Sequence, residues 1–391
     1  MDSDRYEVII IGGGVMGSAT AYYLSKSLGK DVLLIEQYDL LHRRGSSHGD
    51  SRIIRKTYPQ EHYTELMLDA YELWALAEKE AETRVFTKTG GLDISNGDNR
   101  QIKQLLQSAE KYNVPVKVMT PSQVNDKFPS VTIPDDCIGV YSPDSGILNA
   151  TKAVAMFHHL AKANGCTVKD NTKVMNIRQV TVGTRVETIV ETNNGFNYKC
   201  AQCIVTVGSW TTKLLTRVNL NLPLRVVQTT VAYWPVDNPS VYSSTVFPVF
   251  INYSDDAFVY GFPAHEFPNM IKCCAHFGPD VDPDSRDFLP GMDDLNNIVA
   301  PFIKRTFQGV TAVPEKVESC MYTWTPDEDF VIDELPVLPG IFVGCGFSGH
   351  GFKLAPIVGK ILSDLAMRRP HPYPKNRRVF SIDRFGKKCK I

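Results

Sequence analysis

Neither sign of charge dominates this 391-residue chain: 42 Lys and Arg stand against 43 Asp and Glu, for a net charge of −1. That balance gives no electrostatic reason to expect nucleic acid or an anionic membrane surface as a partner. Long apolar runs are lacking too. The longest stretch, Val8 to Leu24, is broken by glycines at 12, 13, 14 and 17 and reads as two elements, not as a membrane span. Met1-Asp2-Ser3-Asp4 is acidic and has no basic n-region, so secretion is not expected. The nine cysteines lack the spacing of a disulfide framework. Cys200-x-x-Cys203 has no second pair or histidine cluster nearby, and it reads as small residues on a strand. His158-His159 reads as a helix surface or a satisfied core pair. No metal site is expected, and no internal repeat or low-complexity segment is evident.

What is present begins at Val8. A short β-branched run breaks into Gly12-Gly13-Gly14-Val15-Met16-Gly17, a Gly-x-Gly-x-x-Gly, and opens a helical segment over Ser18 to Leu28. A second apolar run, Val32 to Ile35, ends on Glu36. This order is a βαβ unit carrying a dinucleotide fingerprint. Gly12 permits the tight turn, Gly14 lets backbone approach a pyrophosphate, and Gly17 lets helix and strand pack closely. The helix N-terminus offers N–H groups and positive dipole to the anion. Glu36 can accept hydrogen bonds from ribose hydroxyls. On this unit alone, FAD and NAD both remain open.

A basic stretch, Arg43 to Arg52, precedes a helical apolar period over Thr64 to Glu82. Strand character restarts at Gly90 to Ile94, and Ile147 to Asn164 reads as a helix starting near Asn149 or Thr151. Strand-like alternation over 172–177, 184–192 and 196–207 then delivers a small-residue turn, Gly208-Ser209-Trp210. Residues 223–319, rich in aromatics and proline, read as a separate mixed sheet. Ile341 to Gly346 forms a last strand and turn, followed by a helix over Phe352 to Met367. The expected fold is α/β: a discontinuous Rossmann-like dinucleotide-binding domain (1–86, 150–222, 320–391) plus a mixed-sheet α+β substrate domain (87–149, 223–319).

Two further segments carry chemistry. Cys320-Met321-Tyr322-Thr323-Trp324-Thr325-Pro326-Asp327 is a threonine-rich strand stopped by proline, in which Cys320 by itself reads as a buried structural thiol. Gly346-Phe347-Ser348-Gly349-His350-Gly351-Phe352-Lys353 places three glycines around a helix start, where backbone N–H groups can meet an anionic ligand atom. Lys353 there opposes the helix dipole, which disfavours a decorative charge.

With Arg44 to Lys56, these segments make the chain resemble the monomeric sarcosine oxidase family of flavoprotein amine oxidases, and most of all its animal peroxisomal sarcosine oxidase/L-pipecolate oxidase branch. The resemblance runs from Val8 to the last helix. It implies FAD, bonded through the sulfur of Cys320, with Arg52 packed on the flavin face and His48 close by. It implies that Arg55 and Lys353 hold a substrate carboxylate, that Tyr260 lies in the active site, and that Lys272 promotes oxygen reduction four residues before His276. Gly346, Gly349 and Gly351 fall in its cofactor-binding turn. Between Pro263 and Lys272 the chain departs from the glycine-rich bacterial pattern, with His265, Glu266 and Pro268. The implied reaction is oxidation of a small secondary amino acid (sarcosine, L-pipecolate or L-proline) to an imine, with O2 reduced to hydrogen peroxide. A monomer is implied by the family. The rival readings are an N-methyl or glycated amino acid oxidase on the same scaffold, an NAD-dependent dehydrogenase, and a non-catalytic flavin-binding protein. Cys389-Lys390-Ile391 approaches a peroxisomal Ser-Lys-Leu address, so a peroxisomal location is expected and a cytoplasmic one otherwise.

Overall fold

The computed structural model describes residues 4–254, 258–286 and 291–389. Its first sheet is built around five parallel strands: Thr167–Lys169, Val32–Ile35, Arg5–Ile11, Asn197–Val205 and Ile341–Cys345, side by side in that order. Val8 to Ile11 and Val32 to Ile35 are buried throughout, which is why they read as unbroken apolar runs and not as alternation: helices and loops cover both faces. The hairpin Val174–Val182 and Arg185–Thr192 continues the sheet in antiparallel fashion. Strands from three separated stretches of chain thus complete one discontinuous Rossmann-like layer.

The helix Val15–Leu28 lies on this layer between Ala150–Ala163 and Ala355–Ala366. It starts three residues before the expected Ser18, because Gly14 already serves as its N-cap. Close approach fixes the second contact: a Cβ added to Gly359 would stand 2.8 Å from the backbone of Ala19. Two other expected boundaries move. The helix expected over 64–82 spans Glu61–Glu80. Ile147 and Leu148, expected in a helix, form a buried strand, Gly146–Leu148, paired on one side with Arg52–Ile54 and on the other with Phe86–Lys88. The helix then begins at Ala150, where the Asn149 side chain caps the Lys152 N–H at 2.9 Å.

The second sheet has eight strands and mixed directions, and a cluster of Trp234, Phe250, Phe302 and Phe307 fills its far side under the helix Ala300–Thr306. The strand Lys316–Trp324 belongs here. It pairs residue by residue with Arg225–Pro235, Cys320 opposite Thr229. The strand thus runs across the boundary expected at residue 320, and Cys320 to Trp324 ladder with the second sheet. The small three-stranded sheet through Arg52–Ile54 sits beside both layers and carries the basic segment to the site. Among the described residues no helix is long and apolar enough to cross a membrane.

Candidate active site

A cavity of about 610 Å³ opens at the C-terminal ends of the parallel strands and reaches the second sheet. Of the residues singled out in the sequence, Gly12, Gly14, Glu36, His48, Arg52, Arg55, Tyr260, Lys272, His276, Cys320, Gly346, Gly349, Gly351 and Lys353 all line it. Gly17 does not. It lies beneath the loop, where an added Cβ would sit 1.9 Å from the Gly12 carbonyl oxygen.

At the strand end Gly12 takes φ +101°, and its N–H donates to the Ile35 carbonyl at 2.8 Å. The surrounding loop is already braced by side chains. Glu36 Oε2 accepts from the Gly13 N–H at 2.7 Å, and Ser47 Oγ accepts from Val15 at 3.1 Å. Glu36 Oε1 accepts from the Tyr38 N–H at 3.0 Å and lies 3.3 Å from His42 Nε2. Burial pushes the Glu36 carboxyl up, but the bonds from His42, Gly13 and Tyr38 outweigh it and hold it below the usual range. Glu36 therefore holds the glycine loop in shape as well as facing the cavity. His158 supports the same loop, its Nε2 bonded to the Gly13 carbonyl at 2.8 Å, while His159 is exposed.

The basic segment follows. Arg52 donates to the carbonyls of Ser51 (2.7 Å), Ser46 (3.0 Å) and His48 (2.6 Å), so three loop carbonyls fix its guanidinium. His48 is pushed down to about 3 by burial and then by Arg52, Arg286, Lys272 and Arg43, and it stands as a neutral imidazole in a cationic setting. Among the described residues its Nε2 is buried without a hydrogen-bond partner. Cys320 is buried and contributes to the cavity wall, and the next residue's carbonyl, Met321 O, accepts from Ser46 Oγ at 2.7 Å.

Two clusters of charge occupy the rest. In the first, Lys353 Nζ donates to Tyr58 OH and to the His350 carbonyl, both at 3.0 Å. Arg55 lies over the Tyr58 ring, 4.8 Å from its centroid, and 3.4 Å from Asp93 Oδ1. Burial, then the Arg55 charge, holds the Lys353 ammonium well below the ordinary lysine value. In the second, Lys272 Nζ donates to Ser51 Oγ and Glu266 Oε1, both at 3.0 Å. Between them stands an aromatic wall. Tyr260 and Tyr322 share a 2.8 Å hydroxyl hydrogen bond, and His276 packs against both rings and against Trp324. Burial, then Lys353 and Arg55, brings His276 down to about 4, so it too is neutral. Gly349, at φ +78°, is what lets the loop come so close. A Cβ there would lie 2.8 Å from both the His276 and the Tyr322 ring.

Tyr58, Asp93, Ser51 and Tyr322 were not singled out as site residues in the sequence, and Glu266 stood out only as a departure in a loop. Tyr58 was the most accessible of these, three residues beyond Arg55. Asp93 and Glu266 come to the site only through strand pairing.

Comparison with known proteins decides the family. Residues 7–365 match the family described as FAD dependent oxidoreductase. The chain belongs to that family. A probable sarcosine oxidase of Arabidopsis thaliana is 41% identical over 378 residues, covering 94% of this chain and 89% of the relative. Peroxisomal sarcosine oxidase of Mus musculus is 37% identical, covering 98% and 97%. Among solved structures, NikD, an amino acid oxidase of nikkomycin biosynthesis, shares the fold with a TM-score of 0.83 at 21% identity over 97% of both chains. FAD is accordingly the dinucleotide, and this family member is a flavin-dependent oxidase of amino-acid-like substrates, which closes the NAD alternative.

The residues present fit FAD. A Cβ on Gly14 would meet only the Ser47 side chain, at 3.1 Å, so the backbone at the helix N-cap is open to the cavity. The unpartnered His48 Nε2 and the sulfur of Cys320 lie on the walls of the same cavity.

Proposed function

We propose that the enzyme oxidises small secondary amino acids, with sarcosine, L-pipecolate and L-proline as the leading substrates. The observation that carries this reading is the pairing of Arg55 and Lys353 around Tyr58. Lys353 is buried, and among the described residues its hydrogen-bond partners, the Tyr58 hydroxyl and the His350 carbonyl, are neutral. A carboxylate arriving there would supply the missing anion, and Arg55 could share it. Fixing the acid end holds the carbon–nitrogen unit in one orientation against the aromatic wall. FAD, when bound, would supply the two-electron acceptor for a hydride equivalent from a carbon beside the amine. The residues nearby favour the neutral amine: Arg55 and Lys353 raise the potential, while His276 carries no charge of its own. Water then hydrolyses the imine, giving glycine and formaldehyde from sarcosine. O2 receives the two electrons and two protons and leaves as hydrogen peroxide. Lys272 serves this second step as a fixed cation for developing negative charge.

The reading extends to a covalent link between FAD and Cys320, supported by the position of that thiol in the cavity wall. It takes residues 1–86, 150–222 and 325–391 as the cofactor-binding part, and 87–149 with 223–324 as the substrate part. Mouse and human relatives named peroxisomal sarcosine oxidase support a peroxisomal address. Lys390 and Ile391 of the Cys389-Lys390-Ile391 signal lie outside the described residues, and removing all three should abolish import of a tagged protein. The first experiment is acid precipitation of the purified enzyme. Yellow colour should stay with the pellet, and Cys320→Ala should send it to the supernatant. A substrate panel with peroxide detection follows. Turnover should require the carboxylate, and faster turnover of bulky N-methyl or glycated amino acids would replace the small-substrate reading.

A further inference from the structure

The strand Val259–Phe267 pairs with Met270–Ala275, but its register breaks between Phe262, opposite Lys272, and Phe267, opposite Met270. The extra residues form an irregularity of the kind that re-aims a side chain. Here it turns Glu266 inward. Its Oε1 accepts from Lys272 Nζ at 3.0 Å and from the Ser51 hydroxyl, and its Oε2 accepts from Tyr233 OH at 2.8 Å. Tyr233 stands directly opposite Lys272 in the next strand, so three elements close on one carboxylate. The side chains of Lys272 and Glu266 are only 6% and 8% exposed, too little for water to carry either charge. Lys272 and Ser51 line the cavity, with Glu266 behind them.

We propose that Glu266 is a positioning residue for the oxygen half-reaction: it is the contacting anion that holds the Lys272 side chain in place at the cavity wall, with Ser51 locking the pair. This rests on the assignment of Lys272 to that step. The argument is electrostatic. An ammonium group buried away from water needs a contacting anion, and Arg52, which meets Ser51 from the other side, adds like charge nearby. Arg52 is anchored on the Ser51 carbonyl, and His48 feels Lys272 and is neutral. Among the described residues, Tyr233 and Cys274 also face the pair, with Glu318 beyond Tyr233. Burial pushes the Tyr233 hydroxyl and the Cys274 thiol up, so both stay neutral, and Glu266 supplies the contacting anion. Burial raises the Glu266 carboxyl, yet Lys272, Ser51 and Tyr233 more than offset it and keep it ionised.

The test is the rate of reoxidation of reduced holoenzyme by O2, in stopped flow, from about pH 6 to about pH 9. The unaltered enzyme should show a flat profile. Glu266→Gln should fall about tenfold or more toward the alkaline end of that range, because its ammonium has lost the contacting anion, and adding Lys272→Arg should flatten the profile again. Thermal melting gives an independent readout. The double variant Glu266→Gln/Lys272→Met should melt above Glu266→Gln alone, since removing both charges leaves no uncompensated ion. A flat profile for Glu266→Gln, while Lys272→Met is slow, overturns the role of Glu266 alone. Normal reoxidation of Lys272→Met would instead overturn the oxygen-site assignment, and this inference with it.

Discussion

Lys272 and Lys353 invite comparison. Both are buried, both line one cavity, and each stands near an arginine of the same basic segment. Their partners differ. Lys272 has a carboxylate, Glu266, in contact, whereas Lys353 contacts a phenol hydroxyl and a backbone carbonyl. A lysine with a built-in anion is a permanent fixture, its charge available at every stage of a reaction. A lysine with neutral partners is short of an anion and gains most when a ligand brings one. The same residue type thus serves as a standing electrostatic element in one place and as a receptor for a carboxylate in the other.

The sharpest way to break this comparison is to remove the standing charge. Lys272→Met should slow reoxidation by O2 about 10²- to 10³-fold, the usual cost of losing one preorganised electrostatic group. Anaerobic reduction by substrate should change little, which stopped flow separates directly. Equal slowing of both half-reactions would mean that Lys272 holds the site together instead of serving one step.

A smaller effect is expected at the other end. Arg55 lies 3.4 Å from Asp93, which also accepts from Thr57 Oγ1 at 3.2 Å. Asp93 is fully buried, and burial lifts its carboxyl above the usual range despite Arg55 and Thr57. Asp93→Asn strips Arg55 of its internal anion and should cost about 3 kcal/mol of stability in urea unfolding. Millimolar acetate should recover part of that loss by binding the folded state. No recovery would show that Arg55 does not face the ligand.

The split between these ends was only half visible in the sequence. The βαβ unit was legible because its runs, glycines and acid are consecutive, and so was a layer assembled from three separated pieces of chain. Arg52, Arg55 and Lys272 were marked only through the family resemblance, Lys272 passing as an ordinary strand residue by periodicity, while Lys353 also stood out at a helix start. What surrounds them was not legible. Asp93 reaches Arg55 from a strand that pairs across the second sheet, and Glu266 reaches Lys272 only through a break in register. Ile147 and Leu148 read as the start of a helix because their two strand partners lie about ninety and sixty residues upstream. Local pattern carries no information on such partners. The pairing of Cys320 with the second sheet was hidden for the same reason, its ladder with Arg225–Pro235 being long-range.

The mildest perturbation uses pH alone. Burial, then Arg55, lowers the Lys353 ammonium well below its ordinary value, so in the free enzyme it gives up its proton at lower pH than a surface lysine. A carboxylate binds the protonated form. Acetate, which has no amine to confuse the titration, should therefore bind most tightly below the Lys353 pKa and weaken progressively as pH rises through it, about tenfold per unit at most. By linkage, bound acetate should raise that pKa and take up protons from buffer, a quantity that calorimetry in buffers of different ionisation enthalpy reads. Lys353→Met should remove both the pH dependence and the proton uptake, and should lower acetate affinity about 10- to 100-fold, the worth of a charge-assisted bond. His276 and His48 cannot imitate the effect, being neutral above about 4 and about 3 respectively. If acetate bound with the same pH dependence in Lys353→Met, the receptor for the carboxylate would have to be Arg55 alone, and the contrast between the two lysines would lose its functional meaning.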